Sequence, residues 1–297
     1  RSGDVYKLQK SDSSVKLVSC SDHEKPVSVA FDIESTTLYS LTSTGFLQAW
    51  DLRTLNYTSH HFQQRFLKMM GFRSGLILVM ERTISVMELK DGEPTMLQQY
   101  SLTFEGVISD AKLALNQKML AVATADSDKN ELCIFDVDSE GFKLVRTHPL
   151  SSEVEFLDFS VDDRYLLFKD RSEDLGIVEC KELRRINTIF VGYDIKWSPD
   201  GRVINEKAMN VHACYHRENT ITKMLQLQDK YVLVADQLGS LRLFDYPCPN
   251  RKVGELHLRC YADHMNFISC LEKSHDNRWV ASASQLDRSV ILWRVRG

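Results

Sequence analysis

The sequence lacks any apolar run long enough to cross a bilayer. Its longest, GLILVM at 75–80, falls far short of the ~20 residues a membrane helix needs. It lacks C-x-x-C spacing as well. The seven cysteines, at 20, 133, 180, 214, 248, 260 and 270, are odd in number and mostly sit beside apolar residues, as in LCIF and FISCL. That pattern favours reduced, buried thiols and hence a cytoplasmic protein. No G-x-x-x-x-G-K-[ST] or G-x-G-x-x-G loop is present to cradle phosphate, and no G-x-S-x-G elbow to expose a serine nucleophile. Positive charge is not in surplus: 37 Lys and Arg against 41 Asp and Glu leave a net charge of -4. The chain as a whole therefore lacks the electrostatic footprint of a non-specific nucleic-acid binder. The opening RSGDVYKLQK has neither an initiator Met nor an apolar signal core, so a piece of a longer protein is expected.

What is present is an ordinary globular composition, 43% apolar and 26% charged over 297 residues. That length holds two ordinary domains or one large all-β domain with a substantial core. The chain repeats itself. A turn signal followed by an alternating apolar strand recurs as GDVYKLQ (3–9), GFLQAWDL (45–52), TISVMELK (83–90), ELCIFDVD (131–138), LGIVECKEL (175–183), GSLRLFDY (239–246) and RSVILWRV (288–295). Aligned on Leu8, Trp50, Met87, Phe135, Glu179, Phe244 and Trp293, the copies lie 42, 37, 48, 44, 65 and 49 residues apart. Most copies follow two further strand-like runs joined by a polar turn, as in VEFLDFSVDDRYLLFKD. These period-2 or short buried runs, bounded by Asp, Asn and Ser, mark antiparallel strands. TSHHFQQRFLKMMGF (58–72) alone approaches helical spacing, and its place between two strand units reads as outer strand, connection and inner strand.

One small meander cannot bury both its faces, so units of this kind stack around an axis. The spacing matches the ~40–45 residue period of WD40 blades, and the expectation is an all-β, seven-bladed WD40-type β-propeller spanning 1–297 as one domain. The 65-residue interval must then contain an insertion. The first blade is incomplete, with the ring closed across the termini by a strand drawn from residues 4–18.

The last 37 residues pose the sharpest chemical question, because His264, Ser282, Ser284 and Asp287 are the residue types of a hydrolytic triad. They also resemble the WD40 blade, in which Gly-His, a small-Ser strand, an Asp turn and a Trp strand follow one another. ADH, VASAS and LDRSVILW stand in those places. The resemblance implies a structural hydrogen-bond relay of His264, Ser282, Asp287 and Trp293, with Ala262 and Asp263 in place of the glycine and an extra residue between Ser284 and Asp287.

Over ~107–295 the chain resembles a narrower group, the echinoderm microtubule-associated protein-like family of tandem WD40 propellers. The landmarks are VISDAKLALNQKMLAVATADSDKNELCIFDV, the LDxSxDxxYL run at 157–166, YDIKW at 193–197 and LVADQLGSLRLFDYPCP at 233–249. The Tyr-Pro-Cys continuation is the most specific of them, and residues 1–105 carry only generic blade patterns. This resemblance implies protein partners, tubulin or microtubules among them, and a cytoplasmic, cytoskeleton-associated protein that is one propeller of a tandem pair.

Other candidates are weaker. His212, Cys214 and His216 alternate in VHACYH and would share one strand face, but a fourth metal ligand is not nearby in regular spacing. The acidic SVDDR and ATADSDKNE lack the spacing of a calcium loop. No metal, cofactor or catalytic residue is expected. The basic clusters KELRRI and PNRKVGELHLR, with Arg184, Arg185, Arg251 and Lys252, form a candidate patch for an acidic partner, or a solvated edge that discourages sheet aggregation. The leading expectation is a non-enzymatic interaction scaffold binding tubulin. A WD40 assembly subunit with an unrelated partner is the alternative. A propeller enzyme is disfavoured, because inner runs such as VSVAF and FISCL offer few polar groups to a central channel.

Overall fold

A computed structural model describes residues 9–10, 14–18, 25–73, 75–90, 93–160, 162–171, 175–181, 184–188, 195–197, 203–205, 221–227, 231–245 and 259–295. Among them every regular element is a strand, and no helix is long and apolar enough to cross a membrane. A hairpin of β1 (Gln9–Lys10) and β2 (Ser14–Val18) comes first. It is followed by β3 (Pro26–Phe31), β4 (Thr37–Thr42), β5 (Phe46–Asp51) and β6 (Tyr57–His61), then β7 (Phe66–Phe72), β8 (Gly75–Met80), β9 (Thr83–Lys90) and β10 (Glu93–Thr103). Next come β11 (Val107–Leu113), β12 (Met119–Ala125), β13 (Asn130–Val137) and β14 (Phe142–Leu150), then β15 (Val154–Phe159), β16 (Tyr165–Asp170), β17 (Leu175–Glu179) and β18 (Arg184–Thr188). Each group of four forms one antiparallel sheet in chain order. The short pair β19 (Ile195–Trp197) and β20 (Val203–Asn205) stands alone, and β21 (Ile221–Leu227), β22 (Tyr231–Asp236), β23 (Leu241–Asp245) and β24 (Arg259–Tyr261) form another four-stranded sheet. The chain ends with β25 (Cys270–Lys273), β26 (Trp279–Ser284) and β27 (Ser289–Arg294), to whose outer side β2 and then β1 are added.

The fold is an all-β propeller, but its blade count corrects the expectation. Among the described residues six sheets have four or more strands, not seven. The first repeat does not found a blade. Among the described residues its hairpin joins no inner strands of its own, and β2 instead pairs antiparallel with β27, Ser14 opposite Trp293 and Val18 opposite Ser289. The 65-residue interval holds only the two-stranded β19–β20 sheet among the described residues. Residues 58–72, whose spacing approached a helix, are the remainder of β6, a short turn and β7.

Position within a sheet explains the sequence patterns. Second strands such as β12 (MLAVATA) and β26 (WVASAS) are buried on both faces, so they read as unbroken apolar or small runs. Outer strands such as β6 (YTSHH) and β14 (FKLVRTHPL) are largely exposed and correspondingly polar.

Packing divides the chain into two compact units, residues 75–204 and residues 1–74 with 205–297. In the first, Ala121, Ala123, Leu132 and Ile134 pack against Leu157, Phe159, Leu166 and Phe168, joining the β11–β14 sheet to the β15–β18 sheet. In the second, the last sheet packs on both sides. Ala281, Ala283, Val290 and Leu292 meet Val29, Phe31, Leu38 and Trp50. On the opposite face Val280, Ile291 and Trp293 meet Leu233, Ala235 and Leu241. Each large side chain so buried contributes about 1.5–3 kcal/mol.

Candidate functional site

Strand alternation sets Ser282 on the Val280 face of β26, and Ser289 and Trp293 on the Ile291 face of β27, the side turned toward the β21–β24 sheet. There they meet His264, from the loop before β25, and Asp287, from the turn between β26 and β27. His264 Nδ1 lies 2.9 Å from Asp287 Oδ2, and its Nε2 lies 2.8 Å from Ser282 Oγ. Trp293 Nε1–H donates to the same Ser282 Oγ at 2.8 Å. One proton arrangement satisfies the chain: Trp293 donates to Ser282, the Ser282 hydroxyl to His264 Nε2, and His264 Nδ1–H to Asp287. Ser289, which the sequence reading missed, donates its hydroxyl to Asp287 Oδ1 at 2.6 Å and lies 3.0 Å from His264 Nδ1. Its place two residues after Asp287 in DRS was the available signal.

Burial pushes the Asp287 carboxyl up, but hydrogen bonds from His264, Ser289 and the Met265 N–H outweigh it and hold the group below its ordinary value.

The Ser–His–Asp connectivity is that of a hydrolytic triad, yet the surroundings are wrong for one. Ser282 is 0% exposed in mid-strand and His264 only 5% exposed. The serine oxygen already accepts the indole N–H. A nucleophile needs access to its substrate and nearby donors for the developing oxyanion.

The relay does organise a surface. Asp287 Oδ2 accepts the Met265 N–H at 2.9 Å, which holds the 264–266 loop against the 285–288 turn. The turn between β22 and β23 lies against the same loop: a Cβ on Gly239, whose φ is +84, would stand 2.6 Å from His264 O and 2.7 Å from Asn266 O. Three adjoining turns thus present Leu238, Met265 and Leu286, exposed by 59%, 86% and 52%. Large apolar side chains grouped this way mark binding surfaces more often than chance exposure does.

The other sequence candidates fall elsewhere. Arg184 and Arg185 lie on β18, with side chains outside the described residues. Arg251, Lys252, His212, Cys214 and His216 lie outside the described residues altogether. Among the described residues no cluster of His, Cys, Asp and Glu is suited to a metal ion. Cys133 and Cys180 are free and buried, while Cys260 is exposed, unlike the buried thiols expected. Burial, with Asp163 and Asp162 nearby, pushes the Cys180 thiol up to about 12.

Residues 256–294 match the family model "WD domain, G-beta repeat". The chain is 26% identical to human echinoderm microtubule-associated protein-like 3 over 188 residues, covering 60% of this chain and 20% of that protein. With echinoderm microtubule-associated protein-like 4 from Xenopus laevis it shares 23% over 198 residues, covering 63% and 20%. It is also 24% identical over 210 residues to the non-catalytic subunit wuho of tRNA (guanine-N(7)-)-methyltransferase from Drosophila yakuba, covering 57% of this chain and 49% of that protein. The chain thus spans about a fifth of the length of the microtubule-associated relatives. It is a β-propeller carrying a WD-type G-beta repeat at its C-terminal end, similar at low identity to the echinoderm microtubule-associated protein-like proteins.

Proposed function

We propose that this chain is a non-enzymatic interaction scaffold that binds tubulin or microtubules, as a cytoplasmic, cytoskeleton-associated protein. The observation that carries the reading is the surface of Leu238, Met265 and Leu286 on three adjoining turns, two of them tied together at His264 and Asp287 and the third packed against them at Gly239. A fixed apolar surface of this kind suits a protein partner, because its loops lose little freedom on binding. The choice of tubulin rests on similarity to proteins named microtubule-associated. In this reading the buried relay is structural. A second reading, an assembly subunit with an unrelated protein partner, is favoured by the similarity to a non-catalytic subunit.

The test is co-sedimentation with microtubules and size-exclusion with unpolymerised tubulin, comparing the natural chain with a Leu238→Asp, Met265→Asp, Leu286→Asp variant. Binding by the natural chain and at least tenfold weaker binding by the variant are expected. A folded natural chain that binds neither form of tubulin overturns the tubulin reading in favour of the second. Equal binding by the variant removes this surface from the interface.

A further inference from the structure

At the other end of the last sheet, where β25 turns into β26 and β27 runs out, a groove of about 730 Å³ opens against the first four-stranded sheet. Its volume falls within the ~300–1,000 Å³ of ligand-binding clefts. Its lining includes the apolar Leu52, Trp279 and Val295 and three arginines, Arg53, Arg278 and Arg294. The guanidinium of Arg294 lies 5.9 Å from the Trp279 ring centre, so cation and ring form one composite surface.

Two acids also line the groove, Glu34 and Asp276, and they do not cancel the arginines equally. Burial alone would raise the Asp276 carboxyl. The Ser274 hydroxyl, at 2.6 Å, and the Arg278 N–H, at 3.0 Å, outweigh it and hold the charge inside the turn, with the Arg278 guanidinium 3.6 Å away. Asp51, beside Arg53, is turned to accept the backbone N–H groups of Arg53 and Thr54. Among the described residues no carboxylate forms an ion pair with Arg53 or Arg294.

The walls are fixed before anything binds. Leu52 N donates to Thr36 O at 2.9 Å and Val295 N to Arg278 O at 2.8 Å. Asp276 N donates to Ser35 Oγ at 3.1 Å, joining the two sheets across the end of the groove.

We propose that this groove binds an extended acidic peptide segment, its carboxylates against Arg53, Arg294 and Arg278 and one aromatic or aliphatic side chain over Trp279. Arginine and tryptophan together are the residue types that dominate such interfaces. The site lies at the opposite end of the strands from Leu238, Met265 and Leu286, so it stands whether or not that surface meets tubulin.

Fluorescence anisotropy with a labelled ten-residue peptide, alternating Glu and Ser around one central Phe, tests it without tubulin. Saturable binding to the whole chain at low salt, weakening as salt rises, is expected. An Arg53→Glu, Arg294→Glu variant should bind at least tenfold more weakly, Trp279→Leu several-fold more weakly, and Glu34→Lys more tightly. Arg146→Glu, on the exposed β14, reverses one charge at a residue that does not line the groove and should change little. A lysine-for-glutamate peptide should not bind. The proposal is overturned if the natural chain does not bind the peptide, or if Arg146→Glu weakens binding as much as the groove variants while circular dichroism finds all of them folded.

Discussion

Asp287 accepts four hydrogen bonds, from His264 Nδ1, Met265 N, Ser289 N and Ser289 Oγ. Asp287→Ala would leave the buried imidazole and two backbone N–H groups without that acceptor. The expected loss is about 3 kcal/mol, measured by urea denaturation. Trp293→Phe removes one donor and keeps most of the apolar packing, so about 1 kcal/mol is expected. Because the folded-state pKa of Asp287 is depressed below the ordinary carboxyl value of 3.8, its contribution is complete above that value and is lost as pH falls through the folded pKa. The stability gap between the natural chain and Asp287→Asn should therefore narrow in melts below about pH 4. A gap that stays constant down to pH 2 would count against an ionised Asp287 in the folded state. His264, Ser282, Asp287 and Trp293 were legible in sequence because each sits at a recognisable strand or turn position. Ser289 was missed, since its place two residues after Asp287 is its one sequence signal and a serine opening a strand is otherwise unmarked.

The turns between the first and second strands of four sheets share one design. Ser35, Gln117, Asp163 and Asn277 each adopt a left-handed φ of 56–58°, and each N–H donates to the carbonyl three residues back, in Asp32, Ala114, Ser160 and Ser274. Two of these residues reach the same turn of an adjoining sheet. Asp163 accepts the N–H groups of Leu115 and Asn116 at 2.9 and 3.0 Å, and Ser35 Oγ accepts that of Asp276 at 3.1 Å. First strands are tied in a similar way: Asp110 accepts Leu157 N, and Ser28 Oγ accepts Met69 N. Asp163→Ala should cost about 2 kcal/mol, because it exposes two N–H groups and forces alanine into a left-handed conformation. Asp163→Asn, which tolerates that conformation and keeps one acceptor, should cost about half as much. Chemical denaturation of the two variants separates them, and equal losses would assign the effect to the charge alone. SVDDRY and SHDNRW share their spacing, so the turns themselves were readable as polar punctuation. Their links to the next sheet were not, because the partners lie about 47 residues or more away.

Over the whole molecule, strand periodicity made the architecture legible and misled on the blade count, since an edge strand and a blade strand carry the same alternation. Only pairing distinguishes them. The groove was equally hidden, being assembled from residues 34–36, 52–53, 276, 278–279 and 294–295. The pairing of β2 with β27 joins the first strands among the described residues to the last, Lys16 opposite Ile291 and Leu17 opposite Val290. Along an antiparallel strand successive N–H groups point to opposite sides, so of Lys16 and Leu17 one donates toward β27. A Lys16→Pro, Leu17→Pro variant removes that donor whichever residue supplies it, and fixes the backbone in a form that suits only strand edges. If β2 holds β27 in place, the variant should lose about 3 kcal/mol or more. Hydrogen exchange should then accelerate first at β27 and β26, while the amides of β11–β14, in the other compact unit, keep their protection. Uniform acceleration over both units would instead mean that the propeller opens as one cooperative body, with β2 contributing to its global stability rather than to the local stability of the last sheet.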